Sequence, residues 1–183
     1  NIGTPIPGVE IKIVGSDGCE IMDGSPGELH VRGPNVMLGY FRQPELTEAV
    51  IDKDGYLNTG DIVSVNSKQE MVVQGRTKEL IIRSGFNVYP PEIEAALNTH
   101  PAVLNSAVVG RSIEGNEEIV AFVEPVPGCH IEIDTLFALL DEQLARYKKP
   151  QKIIVMSQLP VAPNGKIRKN DLKKYAEALP SFA

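Results

Sequence analysis

Four short stretches of this chain combine residue types that packing alone does not require. Near the end, Asn164-Gly165-Lys166 mounts a lysine directly after an Asn-Gly turn, with Ile167-Arg168 following. Taken alone, that is a charged surface turn. Earlier, Thr59-Gly60-Asp61 sets a carboxylate beside a Thr-Gly pair. Such an Asp can cap a turn. An ionised Asp offers acceptors only, so it can also receive two hydrogen bonds from a vicinal diol such as a ribose. Gly75-Arg76-Thr77-Lys78 precedes Ser84-Gly85-Phe86-Asn87-Val88-Tyr89-Pro90 and then Glu92-Ile93-Glu94. Locally these are a boundary turn, a strand, a glycine loop and a helix start. The fourth stretch, Gly27-Glu28-Leu29 with Gly33-Pro34 and Gly39-Tyr40, supplies glycines suited to turns.

The elements that must position these residues follow from periodicity. Residues 9–14 and 28–32 alternate apolar and polar side chains, which predicts half-buried strands. Residues 45–51 suit a short helix, and residues 62–65 and 71–74 suit further strands. This first part is a small, mostly β unit. After Gly75 the pattern changes. A short strand is expected over 79–82, and Pro90-Pro91 opens a helix, where the missing proline N–H has no intrahelical partner. Strands are expected over 103–109, 119–123 and 152–156. Leu136, Phe137, Leu139, Leu140 and Leu144 form one amphipathic helix capped by Asp134, and Asn170 caps a last helix. The order β-α-β-β-α-β-α predicts an α+β domain with helices on one face of a sheet. Residues 1–74 and 75–183 are thus expected as a β-rich subdomain followed by a compact α+β domain.

Composition excludes other classes. The net charge is −6 and the basic residues are dispersed, which argues against nucleic acid as a partner. No run of about 18 apolar residues occurs, so no membrane span is expected. Cys19 and Cys129 are the only cysteines, far apart, and the three histidines lack zinc spacing. No disulfide framework and no metal site in this chain are predicted, and a cytoplasmic setting is expected.

Taken together, the order and spacing of Gly27-Glu28-Leu29, Thr59-Gly60-Asp61, Gly75-Arg76 with Lys78, the Ser84 to Glu94 phrase and Gly165-Lys166 resemble the C-terminal portion of the adenylate-forming superfamily. That superfamily holds acyl- and aryl-CoA synthetases, adenylation domains of nonribosomal peptide synthetases, and beetle luciferases. The Ser84 to Glu94 phrase looks most like the acyl-CoA synthetases. The resemblance implies an ATP-dependent acid–thiol ligase: acid and ATP give an acyl-adenylate, and coenzyme A then displaces AMP. By that match Asp61 binds the ribose hydroxyls of ATP, Arg76 helps hold the nucleotide, and Lys78 is the hinge of a rotating C-terminal domain. Ser84, Gly85 and Phe86 form the loop on the thiol side, and Lys166 is the catalytic cation of adenylation. An ammonium that bridges two anionic groups offsets their repulsion, and a lysine on a rotating domain can leave before the thiol arrives.

The chain departs from the family pattern in places. Val161-Ala162 stands where relatives often carry a basic residue and Thr or Asn, which predicts the loss of a hydrogen bond steadying the lysine loop. Asn58 stands where Arg or Lys is frequent. The Ser/Thr/Gly-rich phosphate loop and the aromatic-Gly-x-Thr-Glu segment of the family do not occur here. The chain is therefore expected to be a piece of a longer enzyme, inactive alone, with ATP and Mg2+ held mainly by the remainder. Pairing of two copies through an exposed strand edge is a further expectation. Two other readings stay open: an adenylation domain serving a carrier-protein thiol, and a non-catalytic binding module.

Overall fold

The structure, a computed structural model, describes residues 1–180. The chain divides into two compact units, Asn1–Lys78 and Glu79–Ala183.

In the first unit, β1 (Glu10–Val14), β2 (Gly27–Arg32), β3 (Leu57–Val65) and β4 (Met71–Arg76) form one antiparallel sheet in sequence order. A single short helix, α1 (Pro44–Glu48), lies between β2 and β3, shorter than the sequence suggested. Alternation turns Ile13, Leu29, Val63 and Met71 onto one buried face. Two irregularities shape the sheet. Glu28 pairs with Ile62 and His30 with Asn58, so Leu29 alone opposes Thr59-Gly60-Asp61, and β3 bulges there. Opposite Ile62 and Val63, β4 inserts Gln74 between Gly75 and Val73. Bulges bend a strand and re-aim its side chains. The expected break before residue 62 is thus a bulge inside a longer strand.

Gly27 answers to close packing rather than to a turn. A Cβ there would sit 2.7 Å from the Val14 carbonyl oxygen and 2.8 Å from both Ile13 Cγ2 and Ile21 Cδ1. Gly27→Ala should therefore destabilise the first unit by about 1–3 kcal/mol, the usual cost of overpacking. The midpoint of chemical denaturation checks this; an unchanged midpoint contradicts the packing argument.

The second unit begins within a one-turn 3-10 segment, Thr77–Glu79. It continues through β5 (Ile81–Arg83), β6 (Phe86–Val88), α2 (Pro90–Leu97), β7 (Val103–Ile113), β8 (Asn116–Pro125), α3 (Ile133–Gln143), β9 (Lys152–Val155) and α4 (Lys169–Glu177). β5 and β6 make a small hairpin where periodicity predicts one strand followed by a loop. β7 and β8 are antiparallel, and β9 joins β8 in parallel. A parallel partner needs a crossover, which α3 supplies.

The helices cover both faces of this sheet, not one. Val108, Ile119, Ala121 and Val123 pack with Ile93 and Leu97 of α2 and with Leu136 and Leu140 of α3. Ala107, Val109, Val120 and Phe122 pack instead with Leu159 and with Leu172 and Ala176 of α4. The physical reason is visible in β8, where five consecutive apolar residues from Ile119 to Val123 are all buried. A strand apolar on both faces must be covered on both.

Two expected caps also move. Glu132 occupies the N-cap position of α3 without a side-chain cap, and Asp134 lies in the first turn, where its charge favours the helix N-terminus. Arg168 precedes α4, and Asn170 lies inside that helix.

Candidate functional site

The first unit brings Asp61 and Arg76 together. The two residues are directly opposed on β3 and β4, and Arg76 Nε lies 2.9 Å from Asp61 Oδ1. Asp61 keeps 31% of its side-chain surface and Arg76 keeps 62%, so both charges remain accessible. The Asp61 carboxylate therefore has acceptor capacity beyond its one guanidinium bond.

A hydrogen-bonded chain holds the bulge that displays Asp61. The Asp61 amide donates to Thr59 Oγ1 at 3.1 Å, and the Thr59 hydroxyl donates to the Leu29 carbonyl at 2.9 Å. The Gly60 amide donates to Asn58 Oδ1 at 2.8 Å. Glu28 then clasps both sides: it accepts from Asn58 Nδ2 at 2.9 Å and from Thr77 Oγ1 at 2.5 Å. The Gly27-Glu28-Leu29 stretch thus shapes the carboxylate site through Glu28, which sequence reasoning did not single out. Asn58 is the residue that ties the bulge to Glu28.

Lys78 sits exposed in the 3-10 turn. In the second unit, Ser84 and Gly85 form the two-residue turn between β5 and β6. Both have left-handed backbone, with φ 50° at Ser84 and 82° at Gly85. Such turns match the twist of a hairpin, and glycine serves the second position without strain. Ser84 is held by Asn116 from the start of β8. Its amide donates to Asn116 Oδ1 at 2.7 Å, and Asn116 Nδ2 donates to Ser84 Oγ at 3.4 Å. Glu117 secures the same hairpin by accepting the Ile82 amide at 2.7 Å. Phe86 is exposed on one side and stacks on Tyr147 with ring centroids 4.7 Å apart. Arg83 donates to the Tyr147 and Lys149 carbonyls at 3.1 and 2.7 Å, and burial draws its pKa below the ordinary guanidinium value.

Lys166 lies on a tight loop closed by a bridge between Val161 and Ile167. Main-chain hydrogen bonds close this loop. The Ala162 amide donates to the Lys166 carbonyl and the Gly165 amide to the Ala162 carbonyl, both at 2.8 Å. Asn164 Oδ1 accepts the Lys166 amide at 3.2 Å. The ammonium is exposed and has no ion-pair partner among the described residues. Three residues on, Lys169 behaves differently: Nζ lies 2.6 Å from Glu79 Oε2 and 2.8 Å from Glu94 Oε1. Sequence reasoning missed this clamp, because its partners lie far back in the chain.

Among the described residues, no group of three or more His, Cys, Asp or Glu side chains is placed to hold a metal ion. No helix among them is long and apolar enough to cross a membrane.

Two family models match parts of this chain. The AMP-binding enzyme C-terminal domain matches residues 92–166, and the AMP-binding enzyme model matches residues 1–41. The chain belongs to the AMP-binding, adenylate-forming enzymes. It is 42% identical to 4-coumarate--CoA ligase 5 of Oryza sativa subsp. japonica, over 98% of this chain and 34% of that protein. It is 38% identical to the long-chain-fatty-acid--CoA ligase of Escherichia coli O157:H7, over 96% of this chain and 31% of that protein. Among solved structures it is similar to ATP-bound MatB from Rhodopseudomonas palustris, with a TM-score of 0.87 and 36% identity, covering 96% of this chain and 35% of that one. The chain spans about a third of the length of the curated relatives it matches.

Proposed function

We infer that the protein containing this chain is an AMP-forming acid–thiol ligase, an acyl-CoA synthetase. The observation that carries the reading is similarity over nearly the whole chain to CoA ligases. In the first half-reaction a carboxylate oxygen attacks the α-phosphorus of ATP and pyrophosphate leaves. Asp61 accepts hydrogen bonds from the ribose hydroxyls while Arg76, paired with it, adds positive charge beside the nucleotide. The Lys166 ammonium bridges the attacking carboxylate and the phosphate, offsetting the repulsion of two anions. In the second, the thiol sulfur attacks the acyl carbon and AMP leaves with its phosphate. The turn at Ser84 and Gly85, with Phe86, lies on the thiol side, and Lys78 is the hinge between the two arrangements. Magnesium and the acid pocket belong to the remainder of the protein. The relatives named for a phenolic acid and for a fatty acid are similarly close to this chain. That supports a chain that carries the activation machinery and not the choice of acid.

The test is thioester formation by the full-length protein with ATP, an acid and free coenzyme A. Product without any carrier protein supports the reading. Acyl-adenylate that reacts only with a carrier-protein thiol replaces it with the adenylation-domain reading. Lys78→Pro fixes one backbone angle at the hinge. It should slow thioester formation from acyl-adenylate at least about tenfold, a barrier increase of roughly 1.4 kcal/mol, while pyrophosphate release changes less. Equal effects on both steps, measured by single-turnover kinetics, contradict a hinge at Lys78.

A further inference from the structure

We propose that Lys169 is a positioning residue for the adenylation half-reaction, holding the Lys166 loop in register with the body of the second unit and with the residue beside the hinge. The inference rests on the ligase reading above and goes beyond it, since it assigns a role to a lysine that touches no reacting atom.

Lys169 is the first residue of α4 and lies three positions after Lys166. Its side chain is only 22% exposed, and its ammonium sits between two carboxylates, 2.6 Å from Glu79 and 2.8 Å from Glu94. Burial pulls the pKa of this ammonium down, but Glu94 and Glu79 outweigh burial and hold it above the ordinary lysine value. The contact is therefore charged throughout the neutral range.

Each partner fixes a different part of the unit. Glu79 directly follows Lys78 in the 3-10 turn. Glu94 belongs to α2, and its Oε1 also accepts the Val108 amide of β7 at 2.8 Å. One ammonium thus joins the start of α4 to Glu79, to α2 and, through Glu94, to the sheet. The far end of α4 is held separately. Arg111 of β7 donates to the Leu179 and Pro180 carbonyls at 2.7 and 2.9 Å, and the Ser112 amide donates to Glu177 at 3.1 Å. Between the ends, Leu172 and Ala176 are buried against the sheet. With α4 pinned at both ends, the loop immediately before it has little freedom to drift.

This arrangement divides labour between two neighbouring lysines. The Lys166 ammonium is unpaired among the described residues and is free to meet substrate. The Lys169 ammonium is held between two carboxylates of its own unit. Removing it leaves Glu79 and Glu94 facing each other without a cation, which drives the two apart and displaces the start of α4. A displacement of about 1 Å at a catalytic group can cost roughly 10²-fold in rate.

The experiment uses the full-length enzyme and measures ATP–pyrophosphate exchange alongside thioester formation from supplied acyl-adenylate. Lys169→Met should lower exchange about 10²-fold, with the loss in kcat rather than in KM for ATP, and leave thioester formation nearly unchanged. Lys169→Arg, which keeps the charge and can still reach both carboxylates, should recover most of the exchange. Glu79→Gln should lower exchange in the same direction to a smaller extent, and it decides the matter if Lys169→Met does not fold. Lys166→Ala runs in parallel as the control for the underlying reading. If Lys166→Ala leaves exchange intact, the ligase assignment of that lysine fails. If Lys166→Ala abolishes exchange while Lys169→Met and Glu79→Gln stay within about twofold of wild type, the positioning role is overturned and the ligase reading stands. Equal slowing of both half-reactions by Lys169→Met and Glu79→Gln also overturns it, because the effect is then general loss of structure.

Discussion

Lys166→Ala in the full-length protein should slow acyl-adenylate formation about 10²- to 10³-fold, the loss of roughly 2.7–4 kcal/mol of transition-state stabilisation. Acid attack on ATP brings a carboxylate against a phosphate before pyrophosphate leaves, so negative charge concentrates at one point. A compact ammonium with three donors counters that charge. The loop that presents Lys166 is closed by main-chain bonds at Ala162 and Gly165, so the side chain is not needed to hold it. The ammonium makes no ion pair among the described residues, and truncation therefore removes the charge without breaking an ion pair among them. Thioester formation from supplied acyl-adenylate should persist, because the role proposed for this cation lies in the first step alone. Pyrophosphate release measured separately from thioester formation checks both halves. Equal release by variant and wild type removes Lys166 from the mechanism.

Asp61→Ala should raise KM for ATP roughly 10- to 10²-fold, as expected for losing hydrogen bonds to a charged acceptor worth about 1.5–3 kcal/mol. The same change should cost little stability. The Asp61–Arg76 pair keeps solvent access, with Asp61 half-buried and Arg76 exposed, and solvent-accessible ion pairs contribute about 0–1 kcal/mol. The bulge itself is held by Thr59, Asn58 and Glu28, all left in place. Nucleotide affinity and thermal unfolding measured on the same preparation separate the two effects. A large fall in melting temperature with unchanged ATP binding would assign Asp61 a structural role instead.

The two variants draw on different kinds of information. Lys166 stands out in the sequence because turn chemistry is local: Asn-Gly followed by Lys displays a cation wherever the rest of the chain goes. Asp61 stands out as an acceptor beside Thr-Gly, but nothing in that stretch says that Arg76 will lie directly across from it. That pairing depends on a register set by the bulge at residues 59–61 and by the additional Gln74 in β4. Bulges follow from how neighbouring strands fit, so the stretch before Ile62 reads locally as a turn.

Local patterning is enough for the α+β class, the strands at β1 and β2, the start of α2 at Pro90-Pro91 and the residue types at the candidate site. Apolar periodicity and the backbone preferences of proline and glycine act over a few residues, so they survive without a partner. Only the tertiary structure decided which face each helix covers, how Glu28 secures the Asp61 bulge, how Asn116 holds the Ser84 turn, and that Lys169 is clamped while Lys166 stands free. Those contacts join residues separated by tens of positions, as Lys169 and Glu79 are. Their partners are chosen by strand register and by the double-sided burial of β8, and both come into being only when the chain has folded.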